Sequence, residues 1–362
     1  MIYGLSYVSA HSLHDLNEAI GEFLQGSVAD GPYDQSLIKD WLRPVVAKLP
    51  RLEALLQALH TALQAATLAE RQEVVRLFGE IDRIAELCKD VRQTRPVLDS
   101  VPAPLHRPLR DLFNYLYDQG LETVALTDAL KVTVDDFYRH FRDLDQAVCP
   151  FCGLTLYPDR GSGNRAPLDH FLPRSIYPMG AVNFRNLVPM CATCNQAPQK
   201  GMVDPILSSS GARRVVYYPY AAVGGIQVQV NCVAWDGVGT LSQWTVSVSA
   251  VAFPERDCVA TWDSVFRIVI RWAAHVKERM RAWITEFFGI RRFPAAPDVP
   301  ALRREFLAEG QRLAGVSLRR EPAALLKSAM FSYLGVNAPD PVLAGFAHLA
   351  ENEVIRGRRL AV

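Results

Sequence analysis

At 362 residues, with a formal net charge of +1, 49% hydrophobic and 21% charged residues, the chain has the ordinary composition of a soluble globular protein. It is long enough for two or three domains, and no apolar run approaches the roughly 20 residues that a membrane helix needs. The start, Met1-Ile-Tyr-Gly-Leu, lacks a basic region followed by an apolar stretch, so no signal peptide is expected. Charge is distributed unevenly. Residues 1–145 are net acidic, while 146–250 and 251–362 are each net basic, the sign a phosphate-binding surface wants. Four of the seven cysteines fall in two Cys-x-x-Cys pairs, which favours metal binding in a reducing compartment over a disulfide framework. A cytoplasmic protein is the expectation.

Residues 1–145 read as a helical domain. Leu52, Leu55, Leu56, Leu59 and Leu63 recur at helical spacing, as do Val74, Val75, Leu77, Phe78, Ile81, Ile84, Ala85 and Cys88. Pro96, Pro102 and Pro104 interrupt the pattern, and a further helix is expected over Leu105–Tyr117. Thr133 caps another, with acidic residues in its first turn. His11, His14, His60, His106 and His140 lack metal-ligand company and read as surface or satisfied core histidines.

Residues 146–206 carry the chemistry. Cys149/Cys152 and Cys191/Cys194 are spaced to close one tetrahedral structural Zn²⁺ site, each pair giving two thiolates from one tight turn. Between them lie Asp169-His170 and Asn186; Asn195 and Lys200 follow the second pair. Pro167-Leu-Asp-His and Asn186-Leu-Val-Pro are expected as strands, with a short helix starting near Cys191. Asp159–Asn164 reads as a turn, and Gly161-Ser-Gly-Asn lacks the Gly-Lys-Ser/Thr ending of a phosphate loop.

The rest, 207–362, reads as an α+β region with strands over about 213–250 and helices over about 260–355. Val215-Val-Tyr-Tyr, Ile226–Val230 and Trp244–Ser249 alternate as strands, with turns at Gly224-Gly225 and Asp236-Gly237. From Ala260 the apolar spacing is helical, through Trp262, Phe266, Trp272 and Trp283, whose indoles read as core. Further helices are expected around Leu302–Leu313, Ala323–Leu334 and Val342–Val354, before a basic Arg356-Gly-Arg-Arg tail. Cys88, Cys232 and Cys258 read as buried small hydrophobes.

The central segment resembles the HNH endonuclease family, in the subgroup with two zinc-binding cysteine pairs. The matching residues are Asp169-His170, Asn186, Asn195 and Lys200. Sixteen positions separate His170 from Asn186, and nine more lead to Asn195. The resemblance covers about a sixth of the chain and departs from the family's name at Asn195, where histidine is the name-giving residue. It implies a zinc-stapled ββα-metal finger, which with the patterns of the flanks makes the expected fold α+β and mostly helical, the finger lying between a helical N-terminal domain and the C-terminal α+β region. It further implies His170 as general base, and Asp169 and Asn195 as oxygen ligands of a catalytic Mg²⁺ or Mn²⁺. Asn186 would orient His170, and Lys200 would contact a phosphate or simply be an exposed helical lysine. The implied substrate is DNA. A solitary domain of this kind within large helical flanks suggests, by analogy of architecture, the effector of a prokaryotic defence or restriction system with an ATPase partner. The alternatives are an inactive zinc-stabilised nucleic-acid-binding or scaffold protein and an RNA-cutting toxin.

Overall fold

The computed structural model describes residues 1–7, 11–144, 146–158, 166–234, 243–252, 254–291, 293 and 297–347. The turn at Asp159–Asn164, the Asp236-Gly237 turn and the Arg356-Gly-Arg-Arg tail lie outside the described residues. The architecture is α+β and mostly helical. No described helix is long and apolar enough to cross a membrane. The chain groups into two compact units. One comprises Met1, Tyr3–Cys149 and Tyr157–Ala222; the other comprises Ile2, Pro150–Leu156 and the chain from Val223 onward.

The first unit begins with eight helices: α1 Leu13–Gly26, α2 Arg43–Lys48, α3 Pro50–Gln64, α4 Leu68–Ile81, α5 Ile84–Lys89, α6 Ala103–Asp118, α7 Val124–Leu130 and α8 Val134–Asp143. Their starts are written locally. Thr67 caps α4 in a reciprocal box with Glu70, and Thr133 caps α8 in the same way with Asp136. The apolar run expected from Val74 to Cys88 is two helices, because the chain breaks between Ile81 and Ile84. Helix α6 packs against α3 and buries Leu105, Leu109, Leu112, Phe113 and Leu116. At about 2 kcal/mol for each fully buried side chain of this size, that stripe makes α6 a firmly anchored element.

After α8 come two short strands, β1 Leu168–His170 and β2 Leu187–Pro189, and a one-turn helix, α9 Ala192–Asn195. The strands pair antiparallel, with Leu168 opposite Pro189 and His170 opposite Leu187. A two-stranded sheet of this length is not stable by itself. Its outer carbonyls are taken up by tyrosines: Tyr117 Oη donates to Leu168 O at 3.2 Å and Tyr157 Oη to Pro189 O at 2.7 Å. Tyr220 Oη donates to Leu187 O.

Val215–Tyr218 is not the strand its apolar pattern suggests. The segment has no regular structure and pairs with no sheet among the described residues; Val216 N donates to Cys88 O at the end of α5, and Val215, Val216 and Tyr217 are buried. The apolar run serves as packing against helices.

The second unit holds a hairpin, β3 Ile226–Ala234 with β4 Gln243–Ala250, and four long helices, α10 Glu255–Phe266, α11 Ile268–Arg291, α12 Val299–Ala314 and α13 Ala324–Val336. Beyond them, residues 340–347 are helical. Strand β4 lies on α11 and β3 on α13. The single helix expected from Ala260 is broken at Arg267, which adopts the left-handed conformation (φ 53°) and separates α10 from α11. Ile270, in the first turn of α11, is exposed. Trp262 and Trp272 are core, and their indole N–H groups donate to Phe151 O at 2.7 Å and Cys152 O at 2.8 Å. Cys88 and Cys258 are buried, whereas Cys232 is only half-buried.

Candidate active site

Cys149, Cys152, Cys191 and Cys194 are all buried, and their sulfur atoms lie within 4.8 Å of one another. Four thiolates around one Zn²⁺ stand about 3.8 Å apart, given a Zn–S bond of ~2.3 Å in a tetrahedron. The cluster can therefore hold a metal ion such as zinc. The first turn has the form such a ligand needs. Leu154 N donates to Cys152 Sγ at 3.5 Å, and Gly153, at φ +68°, takes the left-handed conformation that a side chain would strain. The second pair starts α9, where Asn195 N donates to Cys191 O and Lys200 N to Cys194 O. Asn195 and Lys200 are thus positioned by backbone bonds to the cysteine turn itself.

Asp169, His170, Asn195 and Lys200 line one cleft of about 520 Å³. Asp169 and His170 are neighbours on a three-residue strand, yet both reach the cleft because β1 ends there and the chain turns away at Phe171. Nε2 of His170 sits 2.9 Å from Ala181 O. A carbonyl only accepts, so Nε2 carries the proton and Nδ1 keeps the lone pair. Burial pushes the imidazole down to about 3 against the Ala181 hydrogen bond, with Arg174 and Lys200 adding to the shift. His170 is therefore neutral near pH 7, with the lone pair of Nδ1 free of a proton.

Asn186 does not touch that ring. It is fully buried and braces the loop between the strands: its Oδ1 accepts from Leu172 N at 2.7 Å, and its Nδ2 donates to Leu172 O and Gly180 O. Gly180 precedes Ala181, so Asn186 braces the backbone next to the carbonyl that fixes His170. A methyl group at Gly180 would come within 3.3 Å of Asn186 Nδ2 and 3.0 Å of Ile81, which explains the glycine.

Lys200 is not an exposed helical lysine. It is 1% exposed, and its ammonium lies 2.7 Å from Asp169 Oδ2 while donating to His170 O at 2.8 Å. That commits it inside the protein, as the counter-charge of Asp169, rather than to a phosphate. Burial pushes the Asp169 carboxyl up to about 6 even though Lys200 pulls it down.

The sequence reading missed one wall of the cleft. Helix α6 contributes Arg110, Asn114 and Asp118 to the lining. Its Tyr117 ring stands edge-on to His170, with centroids 4.3 Å apart. Arg174 lies 5.0 Å over Tyr117 and pairs with Asp118 at 2.7 Å. Only the helical period of α6 was visible in the sequence, and it marks the buried stripe rather than this edge. No protein-family model, curated protein or solved structure matches the chain, so the site is read from its own geometry and chemistry.

Proposed function

We propose that the protein is a metal-dependent endonuclease of the HNH type that hydrolyses phosphodiester bonds of DNA. The observation that carries this reading is the meeting of Asp169, His170 and Asn195 in one cleft beside four clustered cysteines, in the order strand, strand, short helix. A zinc ribbon that only binds nucleic acid has no use for a neutral imidazole held by one nitrogen beside a buried carboxylate.

In this mechanism His170 Nδ1 takes the proton from the attacking water, since Nε2 is spent on Ala181. Tyr117 and the loop braced by Asn186 keep the ring from turning. The hydroxide attacks phosphorus and the bond to the 3′ oxygen breaks. The donor set fits a hard divalent ion: Asp169 offers a carboxylate, with one oxygen facing Lys200, and Asn195 offers a neutral amide oxygen. Held by Asp169 and Asn195, such an ion, Mg²⁺ or Mn²⁺, would supply positive charge to the scissile phosphate and the leaving oxygen.

Two expected results follow from that donor set. With a single negative charge from the protein, Asn195→Ala loses most plasmid cleavage, whereas Asn195→His, which adds an imidazole nitrogen, retains some and moves its preference toward Zn²⁺ or Ni²⁺. Metal titrations of cleavage for the three proteins check this; equal activity of wild type and Asn195→Ala removes Asn195 from the ligand set. The second concerns pH. Because the Asp169 carboxyl is pushed up to about 6, protons compete with the ion below that value. Apparent Mg²⁺ affinity therefore falls roughly tenfold for each pH unit below 6 and is flat above 7. A Mg²⁺ affinity unchanged between pH 5 and 7 contradicts the assignment of Asp169.

A further inference from the structure

We infer that α6 supplies the substrate-holding wall of the cleft, and that Arg110 binds a phosphate of the nucleic-acid strand one to three nucleotides from the one being cut. The inference rests on the nuclease reading above. Arg110, Asn114 and Tyr117 recur at intervals of four and three, so they share one face of the helix. That face is registered on the catalytic base, because Tyr117 stands edge-on against His170. Seven residues of helix place Arg110 roughly 10 Å from Tyr117 along the axis. A strand carries one phosphate per about 3.4 Å of rise, so a phosphate one to three nucleotides from the scissile one comes within reach of Arg110.

The ion pairs single this arginine out. Its neighbours are engaged: Arg107 pairs with Asp111 at 3.4 Å and Arg174 with Asp118 at 2.7 Å. Lys200 is committed to Asp169. Arg110 is exposed, lines the cleft, and has no ion-pair partner among the described residues. Its guanidinium is thus the cationic group left to meet an anion there, and its planar fork suits two phosphate oxygens at once. Asn114, one turn closer to His170, offers an amide to the same strand. The buried leucine stripe of α6 keeps both at fixed distance from the base.

The test uses the full chain carrying His170→Ala, so that binding is read without cleavage. Fluorescence anisotropy of labelled single-stranded and duplex DNA is followed against salt concentration, in buffer without added Mg²⁺ or Mn²⁺. Arg110→Gln is expected to weaken binding about tenfold and to lower the salt slope by about 0.7–0.9, the loss of one phosphate contact. Arg107→Gln, on the same helix but outside the cleft, is expected to leave both unchanged. With His170 restored, Arg110→Gln is expected to raise KM and leave kcat within about twofold. Equal affinities and slopes for the Arg110 and Arg107 variants overturn the inference while leaving the nuclease reading standing. Absence of any cleavage by the wild-type chain, by contrast, removes the reading on which it rests. Unchanged thermal unfolding and zinc content in Arg110→Gln separate loss of binding from loss of fold.

Discussion

Replacing His170 by alanine is expected to lower single-turnover cleavage of DNA by about 10²–10⁴-fold, the usual value of a positioned general base. The size of the effect follows from the ring's surroundings. Nε2 is held by Ala181, Tyr117 lies against the ring, and burial keeps the imidazole neutral. Among the described residues of the cleft no second histidine stands by to take the proton. The substitution leaves a gap near Tyr117 but spares the cysteine cluster, so zinc content and the bulk of the fold should survive. His170→Gln is a useful companion, because its amide can keep the bond to Ala181 O without supplying a base. Both variants should bind DNA as tightly as wild type. Cleavage at the wild-type rate by either one removes His170 from the chemistry.

Cys194→Ser is expected to act on folding rather than on chemistry alone. Structural zinc in small sites is worth on the order of 10 kcal/mol, comparable to the 5–15 kcal/mol that holds a whole domain together. Cys194 is fully buried, and the turn that follows it carries Asn195 and, through Cys194 O, the backbone of Lys200. Losing its thiolate removes a ligand and loosens the frame that places Asn195 and the counter-charge of Asp169. The expected signs are less than one zinc per chain, a lower unfolding temperature, and protease cleavage between Tyr157 and Met202. Full zinc occupancy and unchanged thermal stability in this variant contradict a structural metal site.

Much of the site was legible because its parts are spaced by the chemistry itself. Two Cys-x-x-Cys turns must return to one point, and that fixes the strands between them; β1, β2 and α9 fall where the sequence places them. The helices α6, α8, α12 and α13 were legible from their apolar period, and α8 also from its Thr133 cap. The misses have physical causes. Arg267 enters the left-handed region with no glycine to announce it, so α10 and α11 read as one helix. Val215–Tyr218 has the apolar pattern of a strand but spends it on helix packing. Lys200 looks like any lysine after a short helix, and only the folded chain reveals its burial against Asp169. Helix α6 is the largest omission at the site. Tyr117 stands more than fifty residues before His170 and beside a leucine stripe, so nothing local marks it as a neighbour of that ring.

The central claim is phosphodiester hydrolysis by this cleft, and one measurement meets it most directly. Purified chain is incubated with supercoiled plasmid, and in parallel with structured RNA, in Mg²⁺ or Mn²⁺, with and without chelator, beside His170→Ala. The account predicts nicked or linear plasmid in the presence of either ion, none with chelator, and none with His170→Ala despite equal DNA binding. Plasmid that stays intact with Mg²⁺ and Mn²⁺, while being bound and retarded on a gel, would contradict it and leave a zinc-stabilised binding protein; cleavage confined to the RNA would replace DNA as the substrate.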